Sequence, residues 1–139
     1  MRKNKQYRVI IDTNIWISFL ISNQFEILDK LFVNNNFILL FSAELIDELG
    51  ATIQKPKLRK YFREEQALED ILSVFDAYID FVDVKSRINV CRDFNDNFLL
   101  SLAKDGKADF LLTGDKDLLE LNPFEKTQII TIAEFIEKQ

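Results

Sequence analysis

Three consecutive β-branched residues, Val9-Ile10-Ile11, run directly into an acid, Asp12, and this junction constrains the fold more than any other stretch. An apolar run without polar alternation fits a strand covered on both faces, as strands in parallel sheets are. Apolar residues resume at once in Ile15–Ser22, with Trp16 and Phe19 among them, and there the pattern is helical and apolar nearly all round. Asp12 is therefore expected at the carboxyl end of a central strand, where open α/β sheets place their ligands.

The same alternation continues down the chain. Phe25–Val33 has helical spacing, Asn34-Asn35-Asn36 signals a turn, and Phe37–Phe41 reads as a second unbroken apolar strand. Ser42 is placed to cap a helix reaching about Gln54, with Leu45, Ile46, Leu49 and Ile53 as its inward stripe. Past Pro56, Lys57–Phe62 reads as a short basic helix and Glu64–Ile79 as a long amphipathic one. Phe81–Val84 then reads as a short strand and Ser86–Phe94 as a loop. Asp96–Lys104 is helical and Gly106 ends it. Phe110–Leu112 and Gln128–Ile130 are the last strands, and Thr131 and Glu134 have the spacing of a capping box. The expected architecture is one domain over residues 1–139. It is α/β, a three-layer α/β/α sandwich around a central parallel sheet.

Composition removes whole classes of chemistry. The chain has no histidine, so Ser-His-Asp and Cys-His mechanisms, His-ligated zinc and a histidine base are all excluded. A single cysteine, Cys91, cannot form an internal disulfide and fits a small buried apolar role in a reducing cytoplasm. No stretch approaches the roughly 18 apolar residues of a membrane span, and the N-terminal apolar run stops too early for a signal peptide. The net charge of −5 does not advertise nucleic-acid binding.

Much of that negative charge is placed pointedly. Asp12 and Asp115 each follow a strand, Asp96 opens a helix, and Glu48 lies in the second turn of the helix after the second strand. In a parallel sheet these points can converge at one edge. Carboxylates brought together repel one another, and a hard cation with oxygen ligands, Mg²⁺ or Mn²⁺, relieves the cost. Such an ion can activate water and stabilise charge at a scissile phosphate without any histidine.

Four segments in this order, Val-Ile-Ile-Asp-Thr-Asn (9–14), Ser-Ala-Glu-Leu-Ile-Asp-Glu-Leu (42–49), Cys-Arg-Asp-Phe-Asn-Asp-Asn-Phe-Leu (91–99) and Ala-Asp-Phe-Leu-Leu-Thr-Gly-Asp-Lys-Asp-Leu (108–118), resemble the PIN-domain family. The nearest likeness is to its small bacterial single-domain members, the toxin components of toxin–antitoxin pairs. That resemblance implies a Mg²⁺- or Mn²⁺-dependent endoribonuclease with Asp12, Glu48, Asp96 and Asp115 as the acidic quartet. It also implies Thr13, Asn14, Asn97 and Thr113 as their helpers, an antitoxin protein as partner, and a homodimer. Asp93 and Asp117 are further acids beside the quartet, and Phe94 stands where similar proteins often have proline.

Other readings of the same residues stay open. Asp12, Asp96 and Asp115 could serve only as helix caps or turn residues. The chain could be a PIN-like binding module without catalysis, or an aspartyl phosphatase or phosphoacceptor, although Asn14 stands where the second acid of that chemistry belongs. RNA bound by an acidic chain needs compensating charge. Arg59, Lys60 and Arg63 are the candidates, unless they are simply a solvated surface segment.

Overall fold

The structure is a computed structural model and describes residues 6–22, 26, 28–30, 36–58, 60–61 and 66–138. The strands are β1 (Tyr7–Ile11), β2 (Phe37–Phe41), β3 (Ile79–Phe81), β4 (Phe110–Leu112) and β5 (Gln128–Ile130). All pair in parallel, in the order β3-β2-β1-β4-β5. The chain thus starts in the middle, winds outward to β3, then crosses back to lay β4 on the other side of β1. The β1/β4 junction is the topological switch point, and Ile11 pairs with Leu112 there.

Helices flank this sheet: α1 (Thr13–Ser22), α2 (Ala43–Ile53), α3 (Gln66–Val74), α4 (Asn97–Asp105), α5 (Lys116–Leu119) and α6 (Ile132–Glu137). Val9, Ile10 and Ile11 are fully buried, as the unbroken apolar run predicts. Of the apolar residues of α1, Trp16, Ile17 and Phe19 enter the chain's own core, Ile15 and Leu20 are half-buried and Ile21 is exposed. Trp16 packs its ring against Phe41 at 5.7 Å and Phe75 at 5.6 Å, which makes it a core residue and not a surface platform.

Local signals hold where they are strong. The Ser42 hydroxyl accepts from Leu45 N–H at the start of α2, and the Thr131–Glu134 capping box is complete. Asn36 closes its turn at φ 58°, a left-handed conformation that asparagine tolerates. Gly106 ends α4, though not by turning left-handed. A Cβ there would lie 2.8 Å from Leu40 Cδ1 and 2.9 Å from the Leu102 carbonyl, so glycine serves a close approach, and Lys107 takes the positive φ of 52°.

Three boundaries differ from the sequence reading. The helix expected over Glu64–Ile79 stops at Val74, and a 3₁₀ turn over Asp76–Tyr78 leads into β3. β3 is Ile79–Phe81, two residues earlier than the Phe81–Val84 expected. Ile79 continues the helical spacing of Leu72 and Phe75, so periodicity alone carried the helix past its end. Lys57–Phe62 is in part a 3₁₀ turn, Pro56–Leu58; Arg59 and Phe62 lie outside the described residues. Of the Phe25–Val33 segment, residues 26 and 28–30 are helical and Leu28 is buried, while the rest lies outside the described residues.

Candidate metal centre

The acids gather where the winding direction reverses. The Asp12 N–H donates to the Leu112 carbonyl at 3.0 Å, extending the β1–β4 ladder by one rung and setting Asp12 beside Thr113. The Thr113 hydroxyl, fully buried, donates to Asp12 Oδ2 at 2.5 Å and accepts from the Asp115 N–H at 3.0 Å. One hydroxyl therefore fixes both strand-end acids relative to each other. Thr113 emerges as the positioning residue of the site.

Asp93, Asp96 and Asp115 come together, each offering a carboxylate oxygen within 4.8 Å of the others. Asp93 and Asp96 are the ends of a short turn, with Phe94–Asp96 in 3₁₀ form, and Asp115 caps α5. Three of the four aspartates here repeat one local geometry. Asp12 accepts from Asn14 N–H, Asp93 from Asn95 N–H and Asp115 from Asp117 N–H, at 3.0, 3.1 and 2.8 Å. Capping and ligation are thus not alternatives: one oxygen holds the turn, and in Asp93 and Asp115 the same carboxylate still offers an oxygen to its neighbours.

Asp96 breaks the pattern. Its side chain caps nothing, although it stands at the N-terminus of α4, and its Oδ2 is buried with no hydrogen-bond donor among the described residues. Burial first, then hydrogen bonding of its protonated form to Asp115 and the negative charges of Asp115, Asp93 and Asp12, push the Asp96 carboxyl up to about 8. Burial likewise raises Asp12, opposed by the hydrogen bonds from Thr113 and Asn14. A buried carboxylate oxygen without a donor, facing two more carboxylates, is a position that a hard cation completes.

The other candidates fall in distinct places. Glu48, exposed on α2, and the buried Asp12 both lie outside the 4.8 Å group. Asp117 gives its N–H to Asp115 and lies 3.8 Å from Arg92, which also pairs with Glu120 at 3.1 Å. Asn14 contributes its backbone N–H, and Thr13 Oγ1 is buried without a partner among the described residues. Asn97 does not touch the acids through any described hydrogen bond. Its Oδ1 accepts from Val90 N–H at 3.2 Å and Cys91 N–H at 2.9 Å, and its Nδ2 donates to Asn89. Lys60 is exposed with its ammonium 5.1 Å from the Tyr61 ring centroid; Arg59 and Arg63 lie outside the described residues.

Asn97 is one rung of a device that the sequence reading did not find. Ser101 Oγ accepts from Ile88 N–H at 3.0 Å, and the Asp105 carboxylate accepts from Lys85 and Ser86 N–H and from the Ser86 hydroxyl. Four residues along a helix advance about 6.0 Å, and two along an extended chain about 6.6 Å. Asn97, Ser101 and Asp105 therefore meet every second residue of an antiparallel, extended segment. The ladder holds residues 85–91 against α4 with no sheet involved, and hands the chain on to Asp93. The signal available in sequence was a polar stripe at four-residue spacing on an otherwise apolar helix.

With this geometry in place, the comparisons with known proteins are specific. A family model of the PIN domain matches residues 8–117, which include all four aspartates of the centre. An uncharacterized protein of Methanocaldococcus jannaschii is 34% identical over 142 residues, covering 94% of this chain and 90% of its own. Among solved structures, VapBC2 from Rickettsia felis, bound to a DNA fragment from its promoter, superposes with a TM-score of 0.59 at 14% identity, over 88% of this chain and 96% of that one. The PIN domain of human SMG5 gives 0.51 at 14% identity, over 94% and 97% of the two chains. VapC20 of Mycobacterium tuberculosis, a sarcin-ricin loop cleaving toxin, gives 0.51 at 9% identity, over 78% and 91%. At such identities the solved structures share the fold, while the family model and the archaeal relative carry the descent: this chain belongs to the PIN-domain family.

Proposed function

We propose that this protein is a divalent-metal-dependent endoribonuclease and the toxin member of a toxin–antitoxin pair. The observation that carries the reading is Asp96 Oδ2, buried without a donor among Asp93, Asp96 and Asp115. RNA as substrate and an antitoxin as partner are supported by family membership and by the fold shared with VapC20 and VapBC2. A phosphoacceptor role is disfavoured: Asp12 is 6% exposed and both its oxygens already accept hydrogen bonds.

Asp93, Asp96 and Asp115 would hold Mg²⁺ or Mn²⁺, with Asp12 and Glu48 completing the acidic set. When bound, that ion supplies activation of a water and stabilisation of charge at the scissile phosphate. The chain's own part is placement. Thr113 sets Asp12 and Asp115 in one geometry, the Asp93–Asn95 turn fixes Asp93, and the helix start fixes Asp96. Since carboxylates ligate as anions, an ion held there would favour the deprotonated form of Asp96, whose carboxyl burial and the neighbouring acids raise.

The expected result with purified protein is cleavage of single-stranded RNA in Mg²⁺ or Mn²⁺ and none in excess EDTA, with Asp12→Asn and Glu48→Gln both impaired. The metal should also stabilise the fold by mass action. At a hundredfold excess over Kd it adds about 2.7 kcal/mol, and melting followed by circular dichroism measures it. Cleavage undiminished by EDTA, or a melting temperature indifferent to both ions, would refute the metal-dependent reading.

The approach of RNA to an acidic site is the second testable element. Arg59, Lys60 and Arg63 follow the helix that bears Glu48, and we assign them to phosphate contacts. Their joint replacement by Ala should flatten the slope of log affinity against log salt by about 2, from about 0.7 per contact. The metal-dependent melting shift should stay intact. An unchanged salt slope would return these residues to the solvated surface.

A further inference from the structure

We propose that Phe94 is a base-stacking platform beside the acid cluster, and that the extended segment 85–89 guides the phosphate backbone of a single RNA strand toward it. This rests on the ribonuclease reading and specifies which nucleotide contact fixes the cleavage position.

Phe94 is 73% exposed, the most solvent-exposed of the large apolar side chains described. It is also held firmly. Asp93 accepts from the Asn95 N–H, and the Asp96 N–H donates to the Asp93 carbonyl at 3.0 Å, so Phe94 is the first residue of a pinned 3₁₀ turn. Its neighbours in that turn, Asp93 and Asp96, are two of the three clustered acids. A phosphate brought to those acids therefore carries an adjoining base to the vicinity of an exposed ring that stands on a pinned turn. Nucleobases stack on aromatic side chains irrespective of sequence, and purines present the larger face.

The ring opens onto a groove of about 850 Å³ between the 85–89 segment and α4, which Phe98 and Asn95 also line. Exposure along that segment alternates: Val84, Ser86 and Ile88 are half-buried, whereas Lys85, Arg87 and Asn89 are exposed, with Asn89 tied back to Asn97. Lys85 pairs with Asp83 at 3.2 Å, whereas Arg87 has no ion-pair partner among the described residues. Glu44 lines the groove as well and repels a polyanion from its own side, so Arg87 is the residue placed to meet a phosphate there. An extended peptide is the poorer occupant. The N–H groups of Lys85, Ser86, Ile88, Val90 and Cys91 already bond to side chains of α4, which leaves at most those of Arg87 and Asn89 along this stretch, a row too short for a lasting strand addition.

The test uses the full chain with short oligoadenylates that carry 2-aminopurine or a single abasic nucleotide, walked along the strand. Affinity is read in the Asp96→Asn background with Mg²⁺, and the cleavage position in the parent protein with Mn²⁺. Phe94→Leu and Phe94→Ala should each weaken binding about tenfold, while Phe94→Trp should retain it. An abasic nucleotide at one position should cost the parent a similar factor and cost Phe94→Leu nothing more. Arg87→Ala should reduce the salt slope by about 0.7 and leave the 2-aminopurine quench unaltered. The exposure of Phe94 predicts that its variants fold and keep the metal-dependent melting shift.

Equal affinity and cleavage by Phe94→Leu and the parent would overturn the platform while leaving the nuclease intact. So would Phe94 variants that bind RNA normally and lose only a protein partner. If the parent neither binds nor cuts RNA in Mn²⁺, the ribonuclease reading itself falls, and this inference with it.

Discussion

Asp96→Asn should abolish RNA cleavage and, in the absence of metal, raise the melting temperature. The two effects have one cause. Asp96 Oδ2 is buried without a donor and faces Asp115, so the folded chain without an ion carries an electrostatic cost there. An asparagine keeps the shape and gives Asp115 a donor without first having to take up a proton, as the Asp96 carboxyl must when the chain folds near neutral pH. Relief of that cost should be worth about 1 kcal/mol, or about 3 °C for a chain of this size. Loss of a direct ligand should reduce activity by at least about a hundredfold, since the outer partners of ligands alone cost roughly 10- to 100-fold.

The pH dependence follows from the same carboxyl. An ordinary aspartate loses its proton near pH 3.8, whereas Asp96 in the folded protein keeps its own up to about 8. Between those values the folded state binds more protons than the unfolded state, so this group's contribution to stability falls as pH rises. Asp12, also raised, acts in the same direction. Without metal, the advantage of Asp96→Asn over the parent should therefore be absent near pH 4, grow through neutrality and level off above pH 8. Thermal melts in EDTA across that range measure it. A variant equal to the parent at pH 8, or one that still cleaves RNA, would remove Asp96 from the centre of the site.

What could be read in the sequence depended on how sharply each signal was punctuated. β1, β2, β4 and β5 were legible because each is a short apolar run ended by an acid, a turn residue or a cap; the bounds of β2, β4 and β5 match the structure, and the run Val9–Ile11 is the buried end of β1. The acids were legible because Asp12 and Asp115 stand one and three residues beyond strand ends, a spacing that topology turns into proximity. Between Gln66 and Val84 there is neither glycine nor proline, so only apolar spacing marked the boundary between α3 and β3, and Ile79 satisfies both periods. Asp93 was seen as an acid near the site, but its membership of the close trio depends on the turn from Asp93 to Asp96, which spacing cannot supply. The role of Asn97 was hidden for a different reason. Its partners are backbone N–H groups of a segment with no regular structure, and no side-chain pattern in residues 85–91 announces them.

Asn97→Leu should be the most destabilising single change at the edge of the site, costing about 3 kcal/mol. Asn97 is 5% exposed and its Oδ1 is the acceptor for two backbone donors, Val90 and Cys91 N–H. Leucine is close in volume, so little cavity forms, and the loss falls on the two stranded N–H groups at about 1–3 kcal/mol each. Melting should drop by about 10 °C. The rungs should also differ in what they do to function. Asn97 holds Cys91, two residues before Asp93; Ser101 holds Ile88; Asp105 holds Lys85 and Ser86, farthest from the acids. Ser101→Ala strands one donor and should cost about 1 kcal/mol with the metal response largely kept. Asp105 is held well below the ordinary carboxylate range by the Ser86 hydroxyl and then by the Ser86 and Lys85 N–H groups. Its contribution is thus present at neutral pH and fades as pH falls through that lowered value. The metal-dependent melting shift should accordingly shrink most in Asn97→Leu and least in Asp105→Asn, because only the Asn97 rung fixes the approach of Asp93 to Asp96 and Asp115. Equal metal responses in all three variants would mean that the ladder stabilises the chain without positioning the acids.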